Sequence, residues 1–124
     1  MNFMYIAMII MKLNETDTQI LRHIVNYCDE IETTVKTFGQ DEKIFKGNFI
    51  YRNAVSMPIL QIGELANHLS DEFVSTYAEI PWRSIVGMRN RFAHGYQVMD
   101  LAEIWHTATN DISMLNSYCK KLLS

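Results

Sequence analysis

Apolar residues recur every three or four positions along most of the chain, which is the spacing of one buried stripe on an α-helix. The longest such run extends from Asp17 to Phe38. Its apolar positions are Ile20, Ile24, Tyr27, Cys28, Ile31, Val35 and Phe38. Thr16 or Asp17 is expected to cap the start of this helix, and Gly39 suits its end. The pattern therefore predicts a first helix of roughly six turns.

Two further helices are predicted in the middle of the chain. A polar loop at residues 41–43 separates the first helix from a second, which is expected over residues 48–69. The apolar residues assigned to the second helix are Ile50, Ala54, Met57, Leu60, Leu65 and Leu69. A capping sequence at residues 70–72 is typical of a short third helix, which is expected to end near Tyr77.

The last third of the chain contains two more helical patterns. Pro81 favours the first position of a helix, and the helix it opens is expected to end at Gly95. The final helix is predicted to begin at Asp100, with Glu103 as its capping-box partner. Its stripe comprises Leu101, Ile104, Trp105, Ala108, Ile112, Leu115 and Leu122. Because no segment alternates convincingly with a period of two, the predicted fold is all-α, a four- to five-helix up-and-down bundle.

The charge balance argues against a generally basic nucleic-acid-binding surface but allows a local one. The chain has 124 residues, a net charge of -3, 48% hydrophobic and 20% charged residues, as an ordinary globular domain does. A broad coat of nucleic acid requires a broadly basic surface. However, the run from Pro81 to Met99 contains no Asp or Glu, whereas Arg83, Arg89 and Arg91 fall within it. This run predicts a local positive slot.

The N-terminal residues and the cysteines bear on domain organisation and location. The first eleven residues, "MNFMYIAMIIM", are almost wholly apolar but shorter than the about 20 residues that span a bilayer. Met11 is an alternative start, so residues 1–10 are treated as an extension of a single domain at 11–124. Cys28 and Cys119 lack the spacing of a metal or redox pair, and we expect both to be reduced core thiols in a cytoplasmic protein.

A metal centre receives little support from the sequence. Glu103 and His106 form one Glu-x-x-His unit of the di-iron type, but that site needs a second unit and two further glutamates. Glu64 and His68 have the wrong spacing for the second unit, and their four-residue separation on one helix face allows them to pair with each other. We therefore expect no metal and no other cofactor.

The segment "RNRFAHGY" carries the residue types that metal-free RNA cleavage requires. That reaction needs a general acid or base near the 2'-hydroxyl and the leaving oxygen, and a cation against the charge that develops on phosphate. His94 and Arg89 supply these groups, but they lie five residues apart, about 140° around an ideal helix. Asn90 and Arg91 are the natural helical neighbours of His94. Arg89 reaches His94 only if the helix ends near Gly95 or if two subunits pair. The alternative is structural, with arginines extending to solvent and a capping histidine.

The stretch "IPWRSIVGMRNRFAHGYQVMD" resembles the signature of the HEPN superfamily, and specifically of the HepT-like toxins of HepT/MntA toxin–antitoxin pairs. These carry Arg-x4-His-x-Tyr with a polar residue after the arginine, a pattern that falls here on Arg89, Asn90, His94 and Tyr96. The segment "QIGELANHLS" resembles the second-helix segment of the family, with Glu64 in its Gly-Glu pair. The likeness extends from about residue 11 to the C-terminus, and only the N-terminal extension departs from it.

The resemblance implies a cytoplasmic, metal-independent endoribonuclease toxin, neutralised by a cognate nucleotidyltransferase antitoxin that adenylylates a tyrosine. It further implies a homodimer with the catalytic cleft between subunits, and attack of the 2'-hydroxyl on the adjacent phosphate of the RNA substrate. The implied roles are catalysis for Arg89 and His94, orientation of the catalytic groups or substrate for Asn90 and Arg91, support for Glu64 and AMP acceptance for Tyr96. The rival readings are a non-catalytic HEPN-like module that docks a nucleotidyltransferase or nucleic acid, and a purely structural helical dimer. A ribonuclease assay distinguishes them.

Overall fold

The computed structural model describes residues 13–93 and 100–124, and these residues form a bundle of α-helices. The helices are α1 (Glu15–Phe38), α2 (Glu42–Gly47), α3 (Phe49–Ala66), α4 (Asp71–Thr76), α5 (Trp82–Ala93), α6 (Leu101–His106) and α7 (Ile112–Leu123). A π-helical segment, Thr107–Asp111, joins α6 directly to α7. No strand occurs in the described residues, and the predicted all-α class is confirmed.

The start of α1 differs from the prediction in its cap. Asn14 is the N-cap, and its side-chain oxygen accepts a hydrogen bond from the backbone N–H of Asp17 at 2.7 Å. Asp17 is instead buried and accepts from the backbone N–H of Ser70 at 2.9 Å and from its hydroxyl at 2.6 Å. The predicted cap at Thr16 or Asp17 was therefore wrong, because Asp17 ties α1 to the start of α4. Gly39 ends α1 with a φ of 103°, as the sequence predicted.

The loop predicted at residues 41–43 is instead the beginning of α2. The carboxylate of Asp41 caps this helix, accepting from the backbone N–H groups of Lys43 at 2.8 Å and Ile44 at 3.3 Å. Its one buried side chain is Phe45, which packs edge-on against the ring of Tyr51 at the start of α3. The polar residues therefore indicated a capped, exposed first turn, and the loop prediction was wrong.

The predicted stripe of α3 is only partly correct: Leu69, just beyond the helix, is buried and Leu65 packs against the core, but two other members are exposed. Ile50 and Met57, assigned to the core from the sequence, are 56% and 51% exposed. The core side of α3 consists of Tyr51, Val55, Ser56, Pro58, Ile59, Ile62, Gly63 and Ala66. Because apolar residues surround this helix on nearly all sides, their spacing alone does not determine which side is buried.

The C-terminal helices pack on α1 as the predicted stripe requires. Ile104, Ala108, Ile112 and Leu115 are buried, and α6 begins after its N-cap Asp100 as predicted. Across the α1–α7 interface, the amide of buried Asn116 donates to the carboxylates of Asp29 at 2.9 Å and Glu32 at 3.3 Å. The hydrogen bond from Asn116 to Asp29, together with the nearby Lys120, lowers the pKa of the Asp29 carboxyl. The π-helical segment was not predicted.

Cys28 and Cys119 are both free and fully buried, on α1 and α7 respectively. Burial is the main cause that raises the pKa of the Cys28 thiol well above its usual range, and it raises the pKa of Cys119 to about 12. Both residues therefore behave as apolar core side chains at neutral pH, as expected. Among the described helices, none has the length and hydrophobicity needed to cross a membrane.

Candidate active site

Arg89 lies on α5, where two side chains hold its guanidinium group. Its Nε donates a hydrogen bond to Oε1 of Glu64 on α3 at 2.6 Å, and its Nη1 donates to Oδ1 of Asn90 at 2.9 Å. The side chains of Arg89 and Glu64 are 33% and 40% exposed, so the ion pair lies at the surface where a ligand can reach it. This contact joins the two segments that resemble the family signature, one containing Glu64 and the other containing Arg89.

Gly63 explains why α5 lies so close to α3 at this point. A Cβ atom built on Gly63 would lie 2.6 Å from Cβ of Arg89 and 3.1 Å from the carbonyl oxygen of Ile85. The first distance is shorter than carbon atoms tolerate without displacement, so only glycine permits this approach. Glu64, the next residue, is thereby placed beside the Arg89 side chain. In the Gly-Glu pair, Gly63 therefore permits the close packing of α3 and α5, and Glu64 provides the hydrogen-bond partner of Arg89.

Some donors of the Arg89 guanidinium are not used by any described residue. Arginine has five N–H donors in a planar fork, and the contacts with Glu64 and Asn90 use two of them. The remaining donors, on Nη2 and Nη1, have no partner among residues 13–93 and 100–124. Two adjacent N–H groups of this kind match the geometry of a phosphate or carboxylate.

The neighbouring Arg91 has a different partner. Its Nη2 donates to the carboxylate of Glu103 on α6, and both side chains are about half exposed. The Glu103 carboxylate therefore bonds to Arg91 and not to the N-terminus of its own helix, where a capping box would place it. Because Glu64 and Glu103 approach Arg89 and Arg91, the region that is free of acidic residues in sequence is not free of them in space. Two of the three arginines of the predicted positive slot therefore have a carboxylate partner.

His94, Gly95 and Tyr96 lie outside the described residues, and so does most of the segment that links α5 to α6. The catalytic role of His94 and the acceptor role of Tyr96 therefore stay predictions, as does the start site at residue 1 or 11. A contact between Arg89 and His94 is likewise a prediction, because His94 is not among the described residues.

Within the described residues, no group of three or more His, Cys, Asp or Glu side chains is arranged to hold a metal ion. Glu64 bonds to Arg89 and not to His68, the partner that its helical spacing also allowed. His106 is exposed, and its Nδ1 lies 3.3 Å from the side-chain nitrogen of Asn110, one turn away. The two glutamates of the possible di-iron units, Glu64 and Glu103, are thus paired with Arg89 and Arg91 of α5.

A separate groove of about 730 Å³ lies between α5 and the C-terminal helices. Its lining includes Arg83, Gly87 and Arg91 from α5, and His106 and Asp111 from the opposite wall. Neither Arg89 nor Glu64 lines it. This groove therefore does not contain the candidate site, which is located by Arg89 and its contacts with Glu64 and Asn90.

Comparison with known proteins places the chain in a family. The family described as Ribonuclease HepT-like matches residues 24–122. A candidate RNase of Caldanaerobacter subterraneus subsp. tengcongensis is 28% identical over 109 residues, covering 88% of this chain and 96% of that protein. A candidate RNase of Methanocaldococcus jannaschii is 27% identical over 103 residues, covering 83% of this chain and 87% of that protein.

A third relative, a candidate HepT ribonuclease of Thermococcus cleftensis, is 34% identical over 61 residues, covering 49% of this chain and 56% of that protein. No solved structure gives a significant match to the chain. The family match spans α3 and α5, which carry Glu64 and Arg89. The chain therefore belongs to the HepT-like ribonuclease family, which confirms the predicted family and the predicted enzyme class.

Proposed function

We propose that the protein is a metal-independent endoribonuclease that acts as the toxin of a toxin–antitoxin pair in the cytoplasm. The observation that carries the catalytic part is the Arg89 guanidinium, which is fixed by Glu64 and Asn90 and keeps donors that no described residue uses. A cation that is already fixed in position before the reaction stabilises the charge that develops on a phosphoryl group, at little cost in reorganisation. Two buried, free cysteines agree with a reducing compartment.

In the proposed reaction, the 2'-hydroxyl of the RNA attacks the adjacent phosphate. Arg89 binds the phosphate oxygens, and His94 transfers a proton at the reacting oxygens. Asn90 holds one edge of the guanidinium, and Arg91, one residue further on, contributes to orienting the substrate. The products are a 2',3'-cyclic phosphate on one fragment and a free 5'-hydroxyl on the other.

A ribonuclease assay with the purified protein tests this function directly. The parent protein should cleave RNA in the presence of EDTA, and the double variant Arg89→Ala, His94→Ala should not. Cyclic-phosphate ends on the products would identify the proposed chemistry. Absence of cleavage by the parent across RNA substrates would favour the non-catalytic binding module instead.

We also propose that the protein is a two-fold homodimer in which α5 faces its symmetry mate, so that both His94 side chains line one cleft. An exposed apolar stripe on α3 supports such an interface, since Phe49 is 64% and Met57 51% exposed. Phe49, Met57 and Glu64 lie within about 80° of one another around the helix. The stripe therefore leads to the Arg89 site, and pairing it across a two-fold axis would bring two such sites together.

Introducing charge into this stripe should disrupt the dimer. We expect the double variant Phe49→Glu, Met57→Glu to be monomeric at micromolar concentration by light scattering, because burying two unpaired carboxylates costs several kcal/mol. Met114→Glu is the matched control, since Met114 is 65% exposed on α7. A monomeric parent protein at the same concentration would contradict the dimer.

We further propose that Tyr96 accepts AMP from a cognate nucleotidyltransferase antitoxin. An added phosphate would take the charge-assisted contacts that Arg89 offers to RNA and would fill the space beside it. After co-expression with such an enzyme, mass spectrometry should find AMP on the peptide that contains Tyr96. The Tyr96→Phe variant should remain an active nuclease that modification no longer silences. AMP at another residue, or equal silencing of the Phe variant, would refute the assignment.

A further inference from the structure

We propose that the groove between α5 and the C-terminal helices is a docking site for an amphipathic helix of a partner protein. The docked helix would carry an acidic residue on the edge that faces α5 and a basic residue on the opposite edge. The groove has a volume of about 730 Å³, and neither Arg89 nor Glu64 lines it. The inference therefore goes beyond the proposed ribonuclease function and does not depend on it.

The groove exists because α5 and the C-terminal helices stand apart. In the described part of the chain, α5 packs extensively on α3 but makes few contacts with α6 and α7. Two contacts connect the walls: the ion pair of Arg91 with Glu103, and a hydrogen bond of 3.8 Å from the Thr107 hydroxyl to the sulfur of Met88. From Met88 forward to Arg91, the partner moves back from Thr107 to Glu103. The two walls therefore run antiparallel.

Two opposite charges face each other across the groove without a bridge between them. Arg83 lies five residues before Met88, and Asp111 lies four residues after Thr107, so the antiparallel register places them at about the same level. Both line the groove and both are exposed. Neither side chain has a hydrogen-bond or ion-pair partner among the described residues. A ligand with an anionic edge toward α5 and a cationic edge toward the other wall would pair both.

The surface between these charges is apolar. Ile62 of α3 and Leu115 of α7 line the groove and are buried, so they form part of its floor. Ile85 and Met88 line it from α5, and Met114, on α7, is 65% exposed. Methionine side chains adapt to apolar partners of different shape and are common at binding surfaces. An occupant must therefore present an apolar stripe between its two charged edges.

The length of the groove suits about two turns of a helix. The pair of Arg91 with Glu103 connects the walls at one level, and Arg83 lies eight residues from Arg91 along α5, about 12 Å at 1.5 Å per residue. Apolar anchors at positions i, i+4 and i+7 of a docked helix span about 10 Å. The opposite wall contains the π-helical segment Thr107–Asp111. Such turns are frequent at functional sites, which is a second reason to expect a ligand here.

The proposed dimer would leave this groove open. Around α3, the groove residue Ile62 lies about 140° from both Phe49 and Met57. The groove and the exposed stripe that supports the dimer interface therefore lie on different sides of α3. For this reason the geometry favours a partner helix over a second copy of the chain.

Three designed helical peptides test the proposal on the full-length protein. All three have leucines at i, i+4 and i+7; the mixed peptide has one acidic and one basic edge, and the others are acidic or basic on both edges. By fluorescence anisotropy, the parent should bind the mixed peptide about 10-fold more tightly than the others, because each of those brings like charges together at one wall. Asp111→Lys should instead prefer the acidic peptide, and Arg83→Glu the basic one. These preferences are the same for either direction of the docked helix.

Filling the groove provides a second test. Ser84 is exposed and lines the groove. Ser84→Trp should therefore weaken binding of the mixed peptide about 10-fold or more, because the indole would occupy the position of an apolar anchor. Ser117→Trp is the matched control and should bind like the parent, since Ser117 is exposed on α7 and does not line the groove.

Two results would overturn the proposal. The first is a parent protein that binds none of the peptides or binds all three equally. The second is a smaller molecular mass for Ser84→Trp than for the parent by light scattering without peptide, which would show that a second copy of the chain fills the groove.

Discussion

Replacing His94 with alanine is expected to lower the rate of RNA cleavage by about 100- to 10,000-fold, the usual cost of losing a general acid or base. The bundle should remain folded, because the core of the described residues is built from apolar side chains of α1, α2, α3, α4, the segment at Ile80, α5 and the C-terminal helices. Cleavage is to be measured on RNA with EDTA present, and folding by circular dichroism and thermal unfolding.

The control for this variant is His23→Ala, which removes an exposed histidine from α1 and should not affect cleavage. Equal rates for His94→Ala and the parent protein would show that His94 is not the catalyst. Loss of activity on addition of EDTA to the parent would instead point to a metal-dependent mechanism, which the proposed chemistry does not allow.

The helices that the sequence predicted well have one polar and one apolar side. In α1, the buried residues Ile20, Ile24, Cys28, Ile31 and Val35 follow the predicted stripe. The C-terminal helices behave likewise, since their polar residues leave only one side to bury. Burial of such a stripe outweighs local propensity, so the spacing of apolar residues is sufficient to assign the helix and its core side.

The predictions that were wrong depend on tertiary contacts between distant parts of the chain. Ile50 and Met57 were wrongly assigned to the core because apolar side chains surround α3, and only packing against α1 and α5 selects its core side. Asp17 resembled a helix cap, yet its partner is Ser70, 53 residues away. Local patterns contain no information about such contacts.

In the candidate site, too, the local contact was predicted from the sequence and the contact between distant residues was not. The sequence predicted the importance of Arg89 and its neighbour Asn90, and their side chains do bond to each other. It did not predict that Glu64, 25 residues earlier, binds Arg89, because a helical neighbour at His68 offered a nearer partner. The signal that could have suggested the contact was the glycine before Glu64, since a glycine inside a helix commonly marks a close approach of another backbone.

This close approach leads to the second large effect we expect, from the Gly63→Ala variant. The added Cβ would lie 2.6 Å from Cβ of Arg89 and 3.1 Å from the carbonyl oxygen of Ile85, so α5 must move away from α3. Overpacking of this kind typically costs about 1–3 kcal/mol of unfolding free energy. The displacement would also carry the Arg89 guanidinium away from Glu64, and a shift of about 1 Å in a catalytic group can lower the rate about 100-fold.

Gly87→Ala is the matched control, because Gly87 lies in α5 itself and a Cβ there meets no atom within 4 Å. Alanine favours a helix interior over glycine by roughly 0.5–1 kcal/mol, so this variant should be slightly more stable than the parent and cleave RNA equally well. Chemical denaturation and single-turnover cleavage would measure both effects. A Gly63→Ala variant as stable and as active as Gly87→Ala would show that the contact between α3 and α5 does not set the position of Arg89.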